Sequence, residues 1–341
     1  MTNGFERYRT FFVTLAAACV LSFTFVDCGF GVWFQEVILT SSVKNPKPIP
    51  PFMVPPKDTN VKYLQFLAIG DPGTGRAGQR DVADGMARKA AEDPVSFVFI
   101  LGDNFYATGV TSVTDEQWVD KFEKMYAHES LQVPFYTVLG NHDYYSNPQA
   151  QVEYTSVSKR WKMPARYYTF TADVDDTSKV QFFCLDTTPL DAERIEEKEE
   201  GQTLDSMDYR TQMGWFENQL RQSKARWRIV TGHHALYSGG SHGDNRGMIN
   251  LLEPLLVKYN VDLYLAGHDH HLEMKKPIKG VHHIVSGGGG THRSVTWQDN
   301  TLFAWTNMGF NWFRLSATEL LVEFYDRNGK LQYVNMIPKP S

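Results

Sequence analysis

Five short apolar runs recur along the chain, and each ends in a glycine that is followed by polar residues. The runs are YLQFLAIG, VSFVFILG, VPFYTVLG, WRIVTG and VDLYLAG, which start at residues 63, 95, 133, 227 and 261. Their length and their content of Val, Ile, Leu and aromatic residues predict strands that are buried on both faces. Helix-like stretches lie between them, at 77–91, 114–128, 209–223 and 247–259. This alternation predicts a layered α/β fold, with the functional site at the carboxyl ends of the strands.

The chain after residue 300 follows a different pattern, in which apolar segments are separated by short polar turns. The segments are Asn311–Leu315, Glu319–Tyr325 and Leu331–Met336, and Arg327-Asn328-Gly329 lies between the last two. A turn rich in Asn and Gly between two such segments is typical of an antiparallel hairpin. We therefore expect a meander of strands at the C-terminus, within a single domain that spans residues 61–341.

Residues 1–28 have the charge and hydropathy pattern of a secretory signal peptide. Two arginines precede an apolar run at 11–26, which is shorter than the roughly 20 residues of a membrane-spanning helix. A cleaved signal and an uncleaved N-terminal anchor both stay open. Either one directs the chain into the secretory pathway, to be secreted, delivered to a vacuole or lysosome, or held at a membrane. The Pro-rich sequence KNPKPIPPFMVPP then predicts an extended linker at 29–60.

Composition limits the classes of protein to which the chain can belong. With 42% hydrophobic and 21% charged residues, it is neither a disordered chain nor a coiled coil. The formal net charge of −5 provides no broad basic surface, so no nucleic-acid partner is expected. Three cysteines exclude a disulfide scaffold and a zinc module built on cysteine, whereas eleven histidines favour metal sites of another kind.

The residues that follow the five runs are those that proteins use to bind metal ions. They are Asp71, Asp103, Asn141, His233 and the pair His268 and His270. Carboxylates, an amide oxygen and imidazoles together suit highly charged metal cations, and the preceding glycines allow close packing around them. A carboxylate can bridge two ions about 3.5–4 Å apart, which clamp the attacking and leaving oxygens of a phosphoryl transfer. The motifs in this order therefore predict a two-metal site.

The motifs GDPGTG, GDNFYATG, GNHDY, GHH and GHDHH resemble those of the metallophosphatase (calcineurin-like) superfamily. Tyr106, within GDNFYATG, resembles the corresponding residue of the purple acid phosphatases, specifically the small tartrate-resistant type. The resemblance covers residues 61–338 and includes the C-terminal strands. For the catalytic domain at 61–341 it implies a four-layer α/β/β/α sandwich, in which two mixed β-sheets are flanked by helices.

The resemblance also implies seven metal ligands, divided between two ions. The ferric ion, Fe(III), would be held by Asp71, Tyr106 and His270. The second ion, which is Fe(II), Zn or Mn in relatives, would be held by Asn141, His233 and His268, with Asp103 as the bridge. A phenolate is a hard, strongly donating ligand that stabilises Fe(III), and its charge transfer to iron would colour the protein purple or pink.

The activity that the resemblance implies is that of an acid phosphatase, which hydrolyses small phosphate monoesters or phosphoproteins by in-line attack of a metal-bound hydroxide. His142 follows Asn141 and is expected to donate to a phosphoryl oxygen, while Asp143 fixes its tautomer. His242 lies nine residues after His233 in a Gly-rich loop. Relatives carry a histidine at this offset that is proposed to protonate the leaving group.

Two other functions stay open. A phosphodiesterase of the same fold is the first, and Tyr106 argues against it. A non-catalytic membrane scaffold, as some parasite relatives are, is the second, although every ligand position is filled and the tail RNGKLQYVNMIPKPS cannot span a bilayer. A monomer is expected, with membrane contact only through an uncleaved N-terminus. The acidic segment at 190–205 fits a solvated loop or, as the resemblance suggests, a lid whose cleavage raises turnover.

Overall fold

The computed structural model describes residues 57–191 and 208–339. The expected signal at 1–28, nearly all of the linker at 29–60 and most of the acidic segment at 190–205 lie outside the described residues. The expectations that concern those segments, and the boundaries of the catalytic domain, therefore stay predictions.

The described part of the chain contains fourteen strands and four α-helices. The strands are β1 (Leu64–Ile69), β2 (Phe97–Leu101), β3 (Phe135–Val138), β4 (Trp161–Lys162), β5 (Tyr168–Asp173), β6 (Lys179–Cys184), β7 (Trp227–Thr231), β8 (Leu263–Ala266), β9 (Leu272–Lys275), β10 (His282–Ser286), β11 (Thr301–Trp305), β12 (Gly309–Leu315), β13 (Glu319–Asp326) and β14 (Leu331–Pro338). The helices are α1 (Ala77–Glu92), α2 (Pro148–Glu153), α3 (Asp208–Gln222) and α4 (Arg246–Lys258). The five apolar runs form β1, β2, β3, β7 and β8, as the sequence predicts.

The strands form two mixed sheets of seven strands each. The order is β14-β13-β12-β1-β2-β3-β4 in the first sheet and β11-β9-β10-β8-β7-β6-β5 in the second. In the first sheet β1 to β4 run parallel and β12 to β14 continue it as antiparallel strands on one side. In the second sheet the central strands β6, β7, β8 and β10 run parallel, and antiparallel strands lie at both edges. The expected C-terminal meander is confirmed, and Gly329 adopts a φ of 75° in the turn before β14.

The two sheets pack face to face, and helices cover their outer faces. The ring centroids of Phe66 in β1 and Phe182 in β6 lie 5.6 Å apart, and those of Phe99 in β2 and Phe170 in β5 lie 6.0 Å apart. Aromatic rings from both sheets therefore form the shared core. α4 buries Leu252 in the cluster that covers the second sheet, and α1 packs on β12 and β13 of the first. The expected α/β/β/α sandwich is confirmed.

The helix expected at 114–128 is wrong in extent. The chain forms only a short π-helical turn there, at Val119–Glu123. The carboxylate of Asp115 accepts the backbone N–H groups of Thr111, at 2.8 Å, and of Gln117, at 3.0 Å. Because these bonds close a turn around Asp115, they compete with the backbone bonds that a helix starting at residue 114 would need.

Candidate metal centre

Loops at the carboxyl ends of five strands carry the residues that the sequence assigns to the metal site. Asp71 follows β1, Asp103 and Tyr106 follow β2, Asn141 follows β3, His233 follows β7, and His268 and His270 follow β8. The two sheets meet here, since the backbone N–H of His268 donates to Oδ2 of Asp71 at 2.8 Å. The structure therefore brings all seven side chains together.

The phenolic oxygen of Tyr106 is the centre of a first cluster. Its Oη lies 3.0 Å from Oδ1 of Asp71 and 2.8 Å from Oδ2 of Asp103. The same oxygen lies 3.0 Å from Nε2 of His270. Nδ1 of His270 is engaged on its other side by Oγ1 of Thr291, at 2.6 Å, so Nε2 is the nitrogen that faces the cluster. Two carboxylates, a phenol and an imidazole thus converge around one point.

A second cluster surrounds Nε2 of His233. This nitrogen lies 3.1 Å from Oδ1 of Asn141 and 3.1 Å from Nδ1 of His268. It also lies 3.4 Å from Oδ1 of Asp103. Nδ1 of His233 lies 2.8 Å from the carbonyl oxygen of Leu101 and donates to it. Nε2 therefore directs a lone pair toward the cluster, as a metal ligand must.

Asp103 belongs to both clusters, because its two carboxylate oxygens face different ones. Oδ2 contacts Tyr106 in the first cluster, and Oδ1 faces His233 in the second. The backbone N–H of His142 donates to Oδ1 at 2.9 Å and fixes the orientation of the carboxylate. A carboxylate in this position can bridge two metal ions.

Three of these residues have a backbone in the left-handed region, which residues other than glycine rarely adopt. The φ angle is 58° at Asp71, 50° at Asp103 and 70° at His268. Such conformations cost about 1–3 kcal/mol each and are concentrated at functional sites. The expected close packing of a glycine is confirmed at Gly102, where an added Cβ would lie 2.5 Å from Nδ1 of His233.

The charges of the site favour bound cations. Asp71 and Asp103 are buried, yet no Lys or Arg within 57–191 and 208–339 forms an ion pair with either carboxylate. Burial and the two carboxylates raise the pKa of the Tyr106 phenol well above its usual range, so a cation is needed to form the phenolate near neutral pH. Oxygen and imidazole donors in this mixture suit transition metals such as iron, zinc and manganese. The residues present therefore fit a two-metal group.

His234 is a further histidine at the second cluster, to which the sequence gives no preferred role. Its ring centroid lies 4.4 Å from that of His268, and one of its nitrogens lies within 4.8 Å of nitrogens of His233 and His268. Nδ1 lies 2.9 Å from Oγ1 of Thr187, and Nε2 lies 3.6 Å from Asp191. When two histidines follow a strand, the sequence does not show whether the second is a metal ligand or a packing residue.

His142 lies at the edge of the first cluster. Its side chain is 34% exposed, its ring centroid is 4.6 Å from that of Tyr106, and Nε2 is 4.0 Å from Oδ2 of Asp103. Nδ1 lies 2.7 Å from the carbonyl oxygen of Ala107. That oxygen can only accept, so Nδ1 donates and Nε2 is left to face the cluster. The sequence does not reveal the role of Ala107, because a backbone carbonyl leaves no pattern in it.

The expected contact between Asp143 and the ring of His142 is wrong. The carboxylate of Asp143 is buried and accepts from the backbone N–H of Gly140, at 2.8 Å, and from Nε2 of Gln151, at 2.8 Å. Burial and the negative charge of Asp103 raise the pKa of Asp143 to about 6. Asp143 therefore stabilises the turn that begins at Gly140, and the carbonyl of Ala107 is the group that orients the ring of His142.

His242 lies beside the second cluster. Its ring centroid is 4.1 Å from that of His268, and its backbone N–H donates to Oδ1 of Asp269 at 3.2 Å. Oδ2 of Asp269 also accepts from the hydroxyl of Ser238, at 2.5 Å, which ties the Gly-rich loop to the turn that carries His268. A cavity of about 100 Å³ opens beside the rings of His242 and His268. Both expected catalytic histidines therefore lie next to the expected ligands.

The chain is similar in sequence to known phosphatases. The family profile described as calcineurin-like phosphoesterase matches residues 64–272. Tartrate-resistant acid phosphatase type 5 of Oryctolagus cuniculus is 32% identical over 298 residues, which cover 81% of this chain and 91% of that protein. Purple acid phosphatase 4 of Arabidopsis thaliana is 34% identical over 278 residues, which cover 78% of this chain and 81% of that protein.

Two solved structures share the fold. GAP50, described as the anchor in the inner membrane complex of Plasmodium, is 25% identical with a TM-score of 0.74, over 82% of this chain and 90% of that one. Purple acid phosphatase PPD1 from yellow lupin (Lupinus luteus) seeds is 20% identical with a TM-score of 0.61, over 83% of this chain and 55% of that one. None of the helices within 57–191 and 208–339 has the length and hydropathy of a membrane-spanning segment.

Proposed function

From the premise that this chain belongs to the calcineurin-like phosphoesterase family, and within it to the purple acid phosphatases, we propose that it hydrolyses phosphate monoesters at a two-metal centre. The family membership supports a phosphoesterase, and the acid phosphatases that it resembles support a phosphatase. The observation that carries the two-metal proposal is Asp103, whose two oxygens face separate clusters of donor atoms. Small phosphate monoesters and phosphoproteins are the proposed substrates.

The proposed ligands divide as the two clusters do. Fe(III) is assigned to Asp71, Tyr106 and His270, a divalent ion (Fe(II), Zn or Mn) to Asn141, His233 and His268, and Asp103 to both. When bound, two such cations lower the pKa of a water molecule and offset the charge of the phosphoryl group during an in-line displacement. The phenol and two carboxylates of the first cluster support the ferric assignment, because hard oxygen donors favour the more highly charged ion.

His142 is the proposed phosphoryl-binding residue. The carbonyl of Ala107 engages Nδ1 and so directs Nε2 toward the space next to Asp103. A hydrogen bond from Nε2 of the protonated ring to a phosphoryl oxygen strengthens as charge develops on that oxygen. His242, whose loop is tied down by Asp269, is proposed to give a proton to the leaving alcohol.

The substrate class is tested by comparing p-nitrophenyl phosphate with bis(p-nitrophenyl) phosphate, using the purified full-length chain loaded with metals. We expect a higher kcat/KM for the monoester. A preference for the diester would overturn the monoester proposal and favour a phosphodiesterase of the same fold.

A visible absorption spectrum tests the ferric assignment independently of turnover. The native chain is expected to be purple or pink, and Tyr106→Phe is expected to remove the colour. Tyr333→Phe is the matched control, because it removes a partly buried phenol from β14 and leaves the site intact. A colourless native chain with a full complement of metal would refute ligation of Fe(III) by Tyr106.

A non-catalytic membrane anchor is the second candidate, and the similarity to GAP50 favours it. The signal or anchor proposed at residues 1–28 would direct the chain into the secretory pathway whether it is an enzyme or a non-catalytic anchor. The two candidates differ in activity, since an anchor binds lipid vesicles without turnover even when it is loaded with metal. Turnover of p-nitrophenyl phosphate by the native chain that falls about 100-fold in His142→Ala would refute the non-catalytic candidate.

A further inference from the structure

Residues 288–298, which follow β10, form a segment at the edge of the proposed metal centre. The segment is fastened first to the turn that carries His270. Oγ1 of Thr291 lies 2.6 Å from Nδ1 of His270, and the backbone N–H of Arg293 donates to the carbonyl of His270 at 2.7 Å. The backbone of Arg293 is therefore held against a proposed metal ligand.

The same segment is fastened to the Gly-rich loop that carries His242. The backbone N–H of Thr296 donates to the carbonyl of Gly239 at 2.8 Å. Nε2 of Gln298 donates to the carbonyl of Ser238 at 3.3 Å. The segment therefore connects the two loops, and these bonds fix the position of the Arg293 backbone relative to His242.

The guanidinium of Arg293 lies beside His242 at the open side of the site. Nη1 of Arg293 is 3.3 Å from Nε2 of His242, and Arg293 is exposed. No Asp or Glu in the described ranges pairs with this guanidinium. Because a guanidinium has five N–H donors, Arg293 has the capacity to bind an anion from solution.

We infer that Arg293 binds an oxyanion on the leaving group, so that the site prefers phosphate monoesters whose alcohol carries a carboxylate or a second phosphate. The inference rests on the proposed function, in which His242 faces the leaving group. Since Arg293 adjoins His242, its guanidinium faces the alcohol part of the ester and supplements the contacts to the phosphoryl oxygens. The planar fork of a guanidinium matches the paired oxygens of a carboxylate or phosphate.

The test uses the full-length, metal-loaded chain and three esters that differ at one end of the alcohol. These are 3-phosphoglycerate with a carboxylate, glycerol 1,3-bisphosphate with a phosphate, and glycerol 3-phosphate with a neutral hydroxyl. Arg293→Gln is expected to lower kcat/KM for at least one charged ester about tenfold, mainly through KM, because a charge-assisted contact is lost. The neutral ester should be unaffected, and which charged ester responds identifies the oxyanion.

Two further variants serve as controls. Arg293→Lys keeps the charge but not the fork, and it is expected to retain part of the preference. Arg221→Gln removes an exposed arginine from the C-terminal end of α3 and is expected to change nothing. An equal effect of Arg293→Gln on all three esters, or no effect on any, would overturn the inference.

Binding is measured separately, by titration calorimetry with the non-hydrolysable phosphonate analogues of the three esters. The native chain is expected to bind an analogue with a second oxyanion about tenfold more tightly than the neutral one, and Arg293→Gln to lose this difference. A native chain without the preference overturns the role of Arg293 and leaves the proposed function intact. A chain that shows the preference but hydrolyses none of the esters contradicts the proposed function alone.

Discussion

Oη of Tyr106 lies 2.8 Å from Oδ2 of Asp103, and this contact joins the phenol of the first cluster to a carboxylate that belongs to both clusters. The other oxygen of Asp103 lies 3.4 Å from Nε2 of His233. Replacement of Tyr106 therefore removes a donor atom from one cluster, whereas replacement of Asp103 removes a donor atom from both. Replacement of Asp103 should therefore weaken the binding of both metal ions, whereas replacement of Tyr106 should weaken the binding of one.

Asp103→Asn is expected to lower the affinity for both metal ions by more than about 100-fold. Loss of a residue that only orients a ligand lowers metal affinity by about 10–100-fold, and loss of the ligand itself should lower it further. The amide keeps the shape of the side chain but removes the charge that a bridging group needs. Metal analysis after gel filtration measures the effect. Asp173→Asn, which breaks only the exposed pair with Lys179, should keep its metals. Loss of just one ion in Asp103→Asn would count against a bridging role.

His142→Ala is expected to lower kcat about 100-fold with both metals retained and KM little changed. The reason is that His142 contacts the site only from its edge, with Nε2 4.0 Å from Asp103 and Nδ1 bonded to Ala107. Steady-state kinetics together with metal analysis separate this effect from loss of the centre. His128→Ala removes an exposed ring and is the control. A normal kcat, or a loss of metal, would refute the assigned role.

Six of the seven proposed ligands could be predicted from the sequence because the signals that mark them are local. Each of the six follows a buried apolar strand and a glycine, and the parallel strand ends then converge by topology. Tyr106 has no such signal and is indicated only by the resemblance to the purple acid phosphatases. The partners that orient His142 and the proposed ligand His270 could not be predicted in this way. Ala107 acts through its carbonyl, and Thr291 reaches His270 from 21 residues further along the chain. Such contacts depend on the folded arrangement and leave no spacing rule.

The sequence analysis does not predict β9, and the reason is physical. β9 is buried at all four positions although it contains Glu273 and Lys275, which pair at 2.7 Å inside the sheet. Charged residues at this density favour a surface loop in a sequence. Their mutual pairing and the bonds of Glu273 to Gly239 and Thr301 satisfy the charges and permit burial.

Gly140→Ala is expected to weaken metal binding although it removes no ligand. An added Cβ would lie 2.2 Å from the backbone N and from Oδ1 of Asp103, so the carboxylate must move. We expect metal affinity to fall by about 10–100-fold, as for other changes that misorient a ligand, and competition with a chelating dye measures it. In Gly214→Ala, by contrast, the new Cβ meets nothing within 4 Å.

Gly214 lies inside α3, where alanine is the better helix former, and so Gly214→Ala provides a matched control. Its free energy of unfolding is expected to rise by about 0.5–1 kcal/mol with metal affinity unchanged. Unchanged metal affinity in both glycine variants would show that Asp103 tolerates the displacement.

His283 in β10 is a buried histidine outside the metal centre, and it makes stability depend on pH. Burial lowers the pKa of His283 from 6.5 to about 3, against a smaller opposing effect of Glu253. Neither ring nitrogen has a hydrogen-bond partner in the described part of the chain. The folded protein therefore keeps the ring neutral in mild acid, whereas the unfolded chain takes up a proton below about pH 6.5.

The sign of the effect follows from this difference in bound protons. Because the unfolded state binds more protons, the free energy of unfolding falls as the pH drops from about 6.5 toward 3. At about 1.4 kcal/mol per pKa unit, His283 alone accounts for a loss of about 2 kcal/mol at pH 5. His283→Gln should abolish this contribution, so that urea unfolding at pH 7 and pH 5 gives a smaller difference than in the native chain. The exposed His292→Gln should keep the native difference, and an equal difference in His283→Gln would mean that another group causes the loss in acid.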